Sequence, residues 1–193
     1  MNATAPRIQP AAEPLAPPLA GHMAKLLPPG MLAPQLFLSV ARHAGLFGFM
    51  VESGWIGPTG LLDRRTLERD LRETIILRTC VAARNDYEFN LHVQTISARM
   101  GLSPAQIDDV RNSSLNPTLW NTRQLAVCKL VDALVGRLEL PDDIYTQAHQ
   151  HLSEEELIDV TQLTGLYTGV AMLVALIRPK FDRYQPDLVL ATT

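Results

Sequence analysis

The stretch from Leu71 to Leu102 reads LRETIILRTCVAARNDYEFNLHVQTISARMGL. A long apolar-periodic run breaks at Asn85-Asp86 and resumes as Tyr87-Glu88-Phe89-Asn90-Leu91-His92. The run predicts one helix, the break a tight connection or N-cap, and the resumption a second helix that Gly101 stops. Within the second helix Glu88 and His92 stand four residues apart, which places them one turn from each other on one face. A carboxylate beside an imidazole sets the ring's tautomer and raises its basicity, as a general acid/base requires. The same pair is equally a solvated contact worth a few tenths of a kcal/mol, so the spacing alone does not decide between them.

Outward from this centre the chain continues to read as helix. Asp63 is an N-cap candidate for the first helix, from Arg64 to about Arg84. Upstream, PQLFLSVARHAGLFGFMVESG reads as one or two helices, and Trp55-Ile56-Gly57-Pro58-Thr59-Gly60 as a loop. Downstream, Ser103-Pro104-Ala105-Gln106 is a capping-box pattern with proline at the first helical position. An amphipathic helix follows from about Thr118 to Arg137, then a short one opened by Pro141. Ser153 with Glu156 forms a second capping box ahead of the apolar helix Leu157 to Ile177. No strand pattern competes, and the predicted fold class is all-α. Residues 1–21 are a Pro/Ala-rich leader, 22–180 the helical domain, and 181–193 a tail. Pro6, Pro10, Pro14, Pro17 and Pro18 favour an extended leader that does not order itself.

At 193 residues, with 47% hydrophobic and 19% charged residues, the chain suits one globular domain with a sizeable core. A net charge of −3 with mixed signs gives no electrostatic footprint for nucleic acid. The leader lacks the apolar core of a signal peptide, and the apolar run Leu163 to Ile177 is shorter than the roughly 20 residues that span a bilayer. The expectation is a soluble, cytoplasmic protein with no membrane and no nucleic-acid partner. Cys80 and Cys128 lie far apart in apolar stretches, where free cysteine behaves as a small buried hydrophobe. No C-x-x-C and no Cys/His cluster with zinc spacing is present, so neither a redox pair nor a structural metal is expected.

The segments LRETIILRT, YEFNLHV and ARMGLSPAQIDDVR, followed by WNTRQLAVCKLVDAL and GLYTGVAMLVALIRP, resemble the carboxymuconolactone decarboxylase family, which includes the alkylhydroperoxidase D branch. The resemblance runs from about Leu32 to Pro179. It implies an all-helical subunit with a central antiparallel helix pair, assembled as a homo-oligomer, trimer or hexamer, through apolar helix faces. Peroxidase-type members carry a Glu, then C-x-x-C, then a His. Here Glu73, nineteen residues before His92, matches the Glu and His92 the His. Asn85 and Glu88 stand at the two cysteine positions. Dithiol peroxide reduction needs one thiolate to attack and a second to resolve, and this chain offers neither there.

Decarboxylase-type members show an acidic residue ahead of a His, as Glu88 and His92 do here. The resemblance then implies a cofactor-free enzyme acting on a carboxylated lactone or related small molecule, with proton transfer and charge stabilisation supplied by side chains. His92 takes the proton-transfer role, Glu88 and Glu73 orient or relay, Tyr87 lines the pocket, and Arg78 and Arg84 are candidates for a cationic clamp. A peroxidase-related member without the dithiol, and a non-catalytic ligand-binding oligomer, are the alternatives. Convergence of Glu73, Glu88 and His92 on one accessible cavity with perturbed protonation separates an enzyme from a non-catalytic ligand-binding member, and dispersal or solvent exposure of the three would count against an enzyme. His22, His43, His149 and His151 have no ligand spacing, and Tyr167 reads first as a core tyrosine with a satisfied hydroxyl and second as pocket lining.

Overall fold

The computed structural model describes residues 5–57 and 66–188. Among these residues it contains nine α-helices and no strand. They are α1 (Leu19–Leu26), α2 (Gln35–Val40), α3 (Ala44–Glu52), α4 (Arg69–Ala82), α5 (Asp86–Thr95), α6 (Pro104–Asp109), α7 (Thr122–Arg137), α8 (Asp142–His149) and α9 (Glu154–Ile177). A 3₁₀ turn, Ser97–Met100, follows α5. The chain divides into two compact units. The first holds the N-terminal residues through α3 together with Leu173–Asp182, and the second holds Thr66–Met172 and the residues from Arg183 onward.

In the first unit the N-terminal segment is ordered by its own chain. Ala11, Leu15 and Leu19 pack against a core of Met23, Leu38, Ala41, Phe47 and Ile56. The Ala11 amide donates to the Leu38 carbonyl at 2.9 Å, and the Arg7 amide to that of Ile177 at 2.8 Å. The expected break between a loose leader and the domain at residue 21/22 therefore falls inside α1. The leader's prolines exclude helix, but its alanines and leucines still have apolar area to bury. The upstream helical stretch splits in two at His43, whose Nδ1 accepts from the Leu46 amide at 3.1 Å and caps α3. Between α1 and α3, His22 is buried and its Nε2 lies 2.9 Å from Glu52 Oε1.

In the second unit α4 is buried almost all round, with every residue from Glu73 to Cys80 inside. A helix buried on all sides belongs at the centre of its bundle, and the polar residues it carries inward, Glu73, Thr74, Arg78 and Thr79, all find hydrogen-bond partners. The expected N-cap, Asp63, lies outside the described residues, and α4 begins at Arg69. Its end is a Schellman turn: the Arg84 amide bonds the Val81 carbonyl at 3.1 Å and the Asn85 amide that of Cys80 at 2.8 Å, with Arg84 left-handed at φ 54°. Asn85 then caps α5, its side chain accepting from the Glu88 amide. These two devices reverse the chain within three residues, so α4 and α5 run antiparallel.

Both sequence-read capping boxes form. Ser103 and Gln106 open α6, and Ser153 and Glu156 exchange bonds of 2.9 and 3.2 Å at the start of α9. An unforeseen box, Asn121 with Gln124, starts α7 at Thr122. Arg78 fastens α4 to α7 through Asp132 at 2.6 and 2.7 Å, and to the loop after α6 through the Val110 and Asn112 carbonyls, both at 2.7 Å. The residues after α9 return to α5, where the Tyr184 amide donates to Gln94 Oε1 at 2.9 Å and Gln185 Nε2 to the Gln94 carbonyl at 2.6 Å.

A Cβ added at Gly48 would stand 2.8 Å from Cε1 of His22, whereas one at Gly45 of the same helix meets nothing within 4 Å. Gly48→Ala is therefore expected to destabilise the chain by about 1–3 kcal/mol through overpacking. Gly45→Ala should be neutral or stabilising by up to about 1 kcal/mol. Chemical denaturation of the two variants side by side checks the contrast.

Candidate active site

The antiparallel pairing of α4 and α5 sets the start of one against the end of the other. Glu73 and His92 thus meet across nineteen residues of sequence. Nδ1 of His92 donates to Glu73 Oε1 at 2.9 Å, and Oε2 lies at 3.2 Å. Ser97, in the 3₁₀ turn, donates its hydroxyl to the same Oε1 at 2.7 Å. Glu73 is fully buried and His92 is 3% exposed. With Nδ1 committed to Glu73, Nε2 is the nitrogen left for chemistry.

Two groups face Nε2. Glu88 Oε1 lies 3.5 Å away, and the Tyr167 hydroxyl, brought in by α9, lies 3.2 Å away. The Tyr167 and His92 rings meet edge-on, with centroids 5.4 Å apart. When the imidazole is neutral the phenol donates to Nε2. When the ring is charged, Nε2 donates to the phenol oxygen or to Glu88. Three buried polar atoms in this neighbourhood have no hydrogen-bond partner: Oε2 of Glu88, Nδ2 of Asn85, and Oγ1 of Thr164, one turn before Tyr167 on α9.

The electrostatics favour charge separation between Glu73 and His92. Burial acts to lower the His92 pKa, but attraction to Glu73, its hydrogen bond and the Glu88 contact outweigh it and raise the value to about 9. Burial acts to raise Glu73, and the attraction and hydrogen bonds from His92, then Ser97, hold it below its ordinary value. Burial pushes the Tyr167 phenol well above its usual range, with Glu88 adding to the effect and Arg72 opposing it. Arg72, half-buried on α4, also acts to lower Glu73.

The sequence-predicted residues separate into two groups. Glu73, Glu88 and His92 converge, and Tyr87 is buried in the first turn of α5. Arg78 is spent on the four internal bonds that hold α7 and the loop after α6. Arg84 is exposed and is the left-handed residue of the Schellman turn. Arg78 thus has its guanidinium filled by internal partners, while the backbone of Arg84 makes the reversal between α4 and α5. Ser97 and Arg72 went unnoticed, because a serine past a helix end and an arginine among charged neighbours carry no local signal. Tyr167 was read as core, and its hydroxyl partner proves to be the site histidine. Cys80 and Cys128 are both buried. Burial, with Glu88 and Glu73 adding, pushes the Cys80 thiol well above its usual range, and burial raises Cys128 to about 12. A cleft of about 180 Å³ lined by Glu68, Asp70, Leu71, Asn121, Arg123 and Gln124 contains none of the convergent residues.

Solved structures share this architecture. The debrominase Bmp8 in its apo form superposes with a TM-score of 0.73 at 14% identity, covering 92% of this chain and 93% of that one. A cysteine-to-alanine form of the same debrominase, in complex with 2,3,4-tribromopyrrole, gives 0.74 at 15% identity and 95% coverage of both chains. A protein of unknown function from Agrobacterium tumefaciens, described as an antioxidant defence protein of the AhpD type, gives 0.59 at 20% identity. It covers 74% of this chain and 95% of its own. The fold is alkylhydroperoxidase D-like, as the resemblance implied. The sequence matches no protein-family model and no curated protein.

The two shifts define a pH window. The folded-state pKa of His92 lies above its ordinary 6.5, so its stabilisation is full below about 6.5 and is lost as pH rises through about 9. Glu73 is held below its ordinary 4.5, so its contribution is full above that value and is lost as pH falls through the folded value. Melting temperature should therefore fall from pH 6.5 to 9.5. A Glu73→Gln, His92→Gln double variant should lose that slope, which differential scanning calorimetry across the range will read.

Proposed function

We propose that this chain is a cofactor-free acid/base enzyme of the carboxymuconolactone decarboxylase type. It would act by decarboxylation or proton transfer on a carboxylated lactone or a related small molecule. One observation carries the reading: a buried histidine is held at Nδ1 by Glu73 and Ser97 and faces Glu88 and Tyr167 at Nε2. Three ionisable side chains placed around one ring, in a region where burial raises the cost of charge, are the arrangement that proton transfer at neutral pH requires.

In this mechanism His92 is charged at neutral pH and acts as the acid through Nε2. Glu88, whose Oε2 has no partner, accepts a proton from the carbon next to the substrate carbonyl. Where the step is a decarboxylation, the carbon–carbon bond breaks, carbon dioxide leaves, and its electron pair enters the lactone as an enolate. His92 then delivers its proton to the carbon that lost the carboxylate. The imidazolium and Arg72 supply the positive charge that an anionic substrate meets, in place of Arg78 and Arg84. Asn85 Nδ2 and Thr164 Oγ1 are the unpartnered polar groups left to contact the substrate. Two deeply buried, poorly ionised thiols give a dithiol mechanism no support.

His92→Gln is expected to lower turnover on a panel of carboxylated lactones by about 100-fold or more. Tyr167→Phe should lower it less and shift the alkaline limb of the pH–rate profile. Arg84→Gly serves as a control. It relieves a left-handed non-glycine worth about 1–2 kcal/mol and should raise stability with turnover unchanged. Thiol-dependent peroxide reduction that survives His92→Gln but not Cys80→Ser would refute the proposal.

A further inference from the structure

The loop after α6 is pinned by side chains that take up its backbone. Asp109 accepts from the Asn116 amide at 2.9 Å, from Trp120 Nε1 at 2.7 Å and from Asn112 Nδ2 at 2.9 Å. Arg78 Nη1 donates to the carbonyls of Val110 and Asn112, both at 2.7 Å. The residue between those two carbonyls is Arg111, so its backbone is fixed on both sides. Its guanidinium lies over the buried Phe89 ring, 4.8 Å from the centroid. Arg78 spends its guanidinium on four internal bonds. Arg111 does not: Nη2 stands 3.9 Å from Asp86 Oδ1, beyond hydrogen-bond reach, and Nη1 is buried with no partner. A buried N–H of a group that never loses its charge is costly to leave without an acceptor.

A second unsatisfied donor belongs to the same turn of α5. Phe89 follows Asn85 by one helical turn on one face. Asn85 is 2% exposed. Its Oδ1 accepts from the Glu88 amide at 3.2 Å, and Nδ2 of the same carboxamide is buried with no partner. The guanidinium and the carboxamide thus both attend the first turn of α5, a helix of 10 residues whose N-terminus adds partial positive charge. Both unsatisfied groups are donors, so what completes them is an acceptor, and the charge of Arg111 favours an anionic one. A carboxylate presents two oxygens in the plane of the guanidinium fork. A phosphate brings a second negative charge toward Asp86 and Glu88, which repel it.

We propose that Arg111 and the side-chain N–H of Asn85 form a carboxylate-binding subsite at the first turn of α5. Arg111 supplies the charge and the fork, Phe89 supports its plane, and Asn85 donates the further hydrogen bond. Glu88 stands three residues after Asn85 and reaches His92 Nε2 at 3.5 Å, so the subsite and the acid/base pair share one short helix. That the carboxylate belongs to the substrate rests on the acid/base reading above; that a carboxylate binds at Arg111 does not.

Nuclear magnetic resonance titration of the full, nitrogen-15-labelled chain with sodium acetate tests the proposal, with sodium chloride holding the ionic strength constant. The side-chain N–H signals of Arg111 and Asn85 should shift together and saturate, with a dissociation constant on the order of 10 mM. Inorganic phosphate at neutral pH should bind about tenfold more weakly or less. Arg111→Gln should weaken acetate by about tenfold or more, and Arg111→Lys by less, since lysine keeps the charge and loses the fork. Asn85→Asp keeps the cap of α5 and replaces the donor by a carboxylate, so it should abolish binding with the helical circular dichroism retained. Acetate shifts that do not saturate, or binding unchanged in Arg111→Gln, would overturn the proposal. Phosphate binding as tight as that of acetate would overturn the choice of a carboxylate. The readout needs no turnover. A chain that binds acetate through Arg111 and turns over no carboxylated lactone would support the subsite and count against the acid/base reading. Turnover without such binding would do the reverse.

Discussion

A carboxylate withdrawn from water costs several kcal/mol unless a partner repays the lost hydration, and Glu73 is wholly withdrawn. His92 and Ser97 are its partners, and meeting them fixes much of the second unit. Glu73 sits in the second turn of α4, so the end of α5 must return to the start of α4. The reversal has to be tight, and it is made by the left-handed Arg84 and the Asn85 cap. The 3₁₀ turn after α5 places the Ser97 hydroxyl on the second side of the carboxylate. Hydrophobic residues of similar volume would satisfy these constraints at no lower stability, because a buried ion pair seldom exceeds its own desolvation. What apolar residues could not supply is a ring nitrogen of defined protonation facing a second carboxylate.

That second carboxylate sets the chemical character of the site. At the position that the family resemblance aligns with a peroxidase-type cysteine, Glu88 places an oxygen 3.5 Å from Nε2. A thiolate there would be a nucleophile and an electron donor, whereas a carboxylate is neither under ordinary conditions and trades only protons. Asn85, at the other cysteine position, serves the backbone by capping α5 and keeps one unpartnered N–H. A debrominase shares this fold, and a fold by itself does not fix the chemistry it hosts.

Much of the architecture was legible because it is local. Asn85, Ser103 and Ser153 cap helices as their side chains dictate, and periodicity alone excluded strands. Local spacing also gave the Glu88–His92 pair, while Glu73 came from the family resemblance, since nothing in an apolar run says that its carboxylate turns inward. What escaped was long-range. Tyr167 lies seventy-five residues from His92 and reaches it only because α9 packs there. Arg78 looked like a substrate clamp because an arginine near an active site and one that joins two helices are the same letter, and Asp132, fifty-four residues on, decides which it is. The packing of the N-terminal segment is long-range in the same sense. Proline content excludes helix but does not prevent an extended segment from burying its alanines and leucines against a core already present.

Helix α9 joins these considerations. Tyr167 points inward to His92, while Gly165 and Gly169, two residues to either side, face outward. A helix carrying a phenol that must stay 3.2 Å from a ring nitrogen has to be held laterally, and two glycines in its middle weaken its own backbone at that level. Packing from one side only leaves the position of Tyr167 dependent on Thr164, Leu163 and Val160, the first of which has an unpartnered hydroxyl.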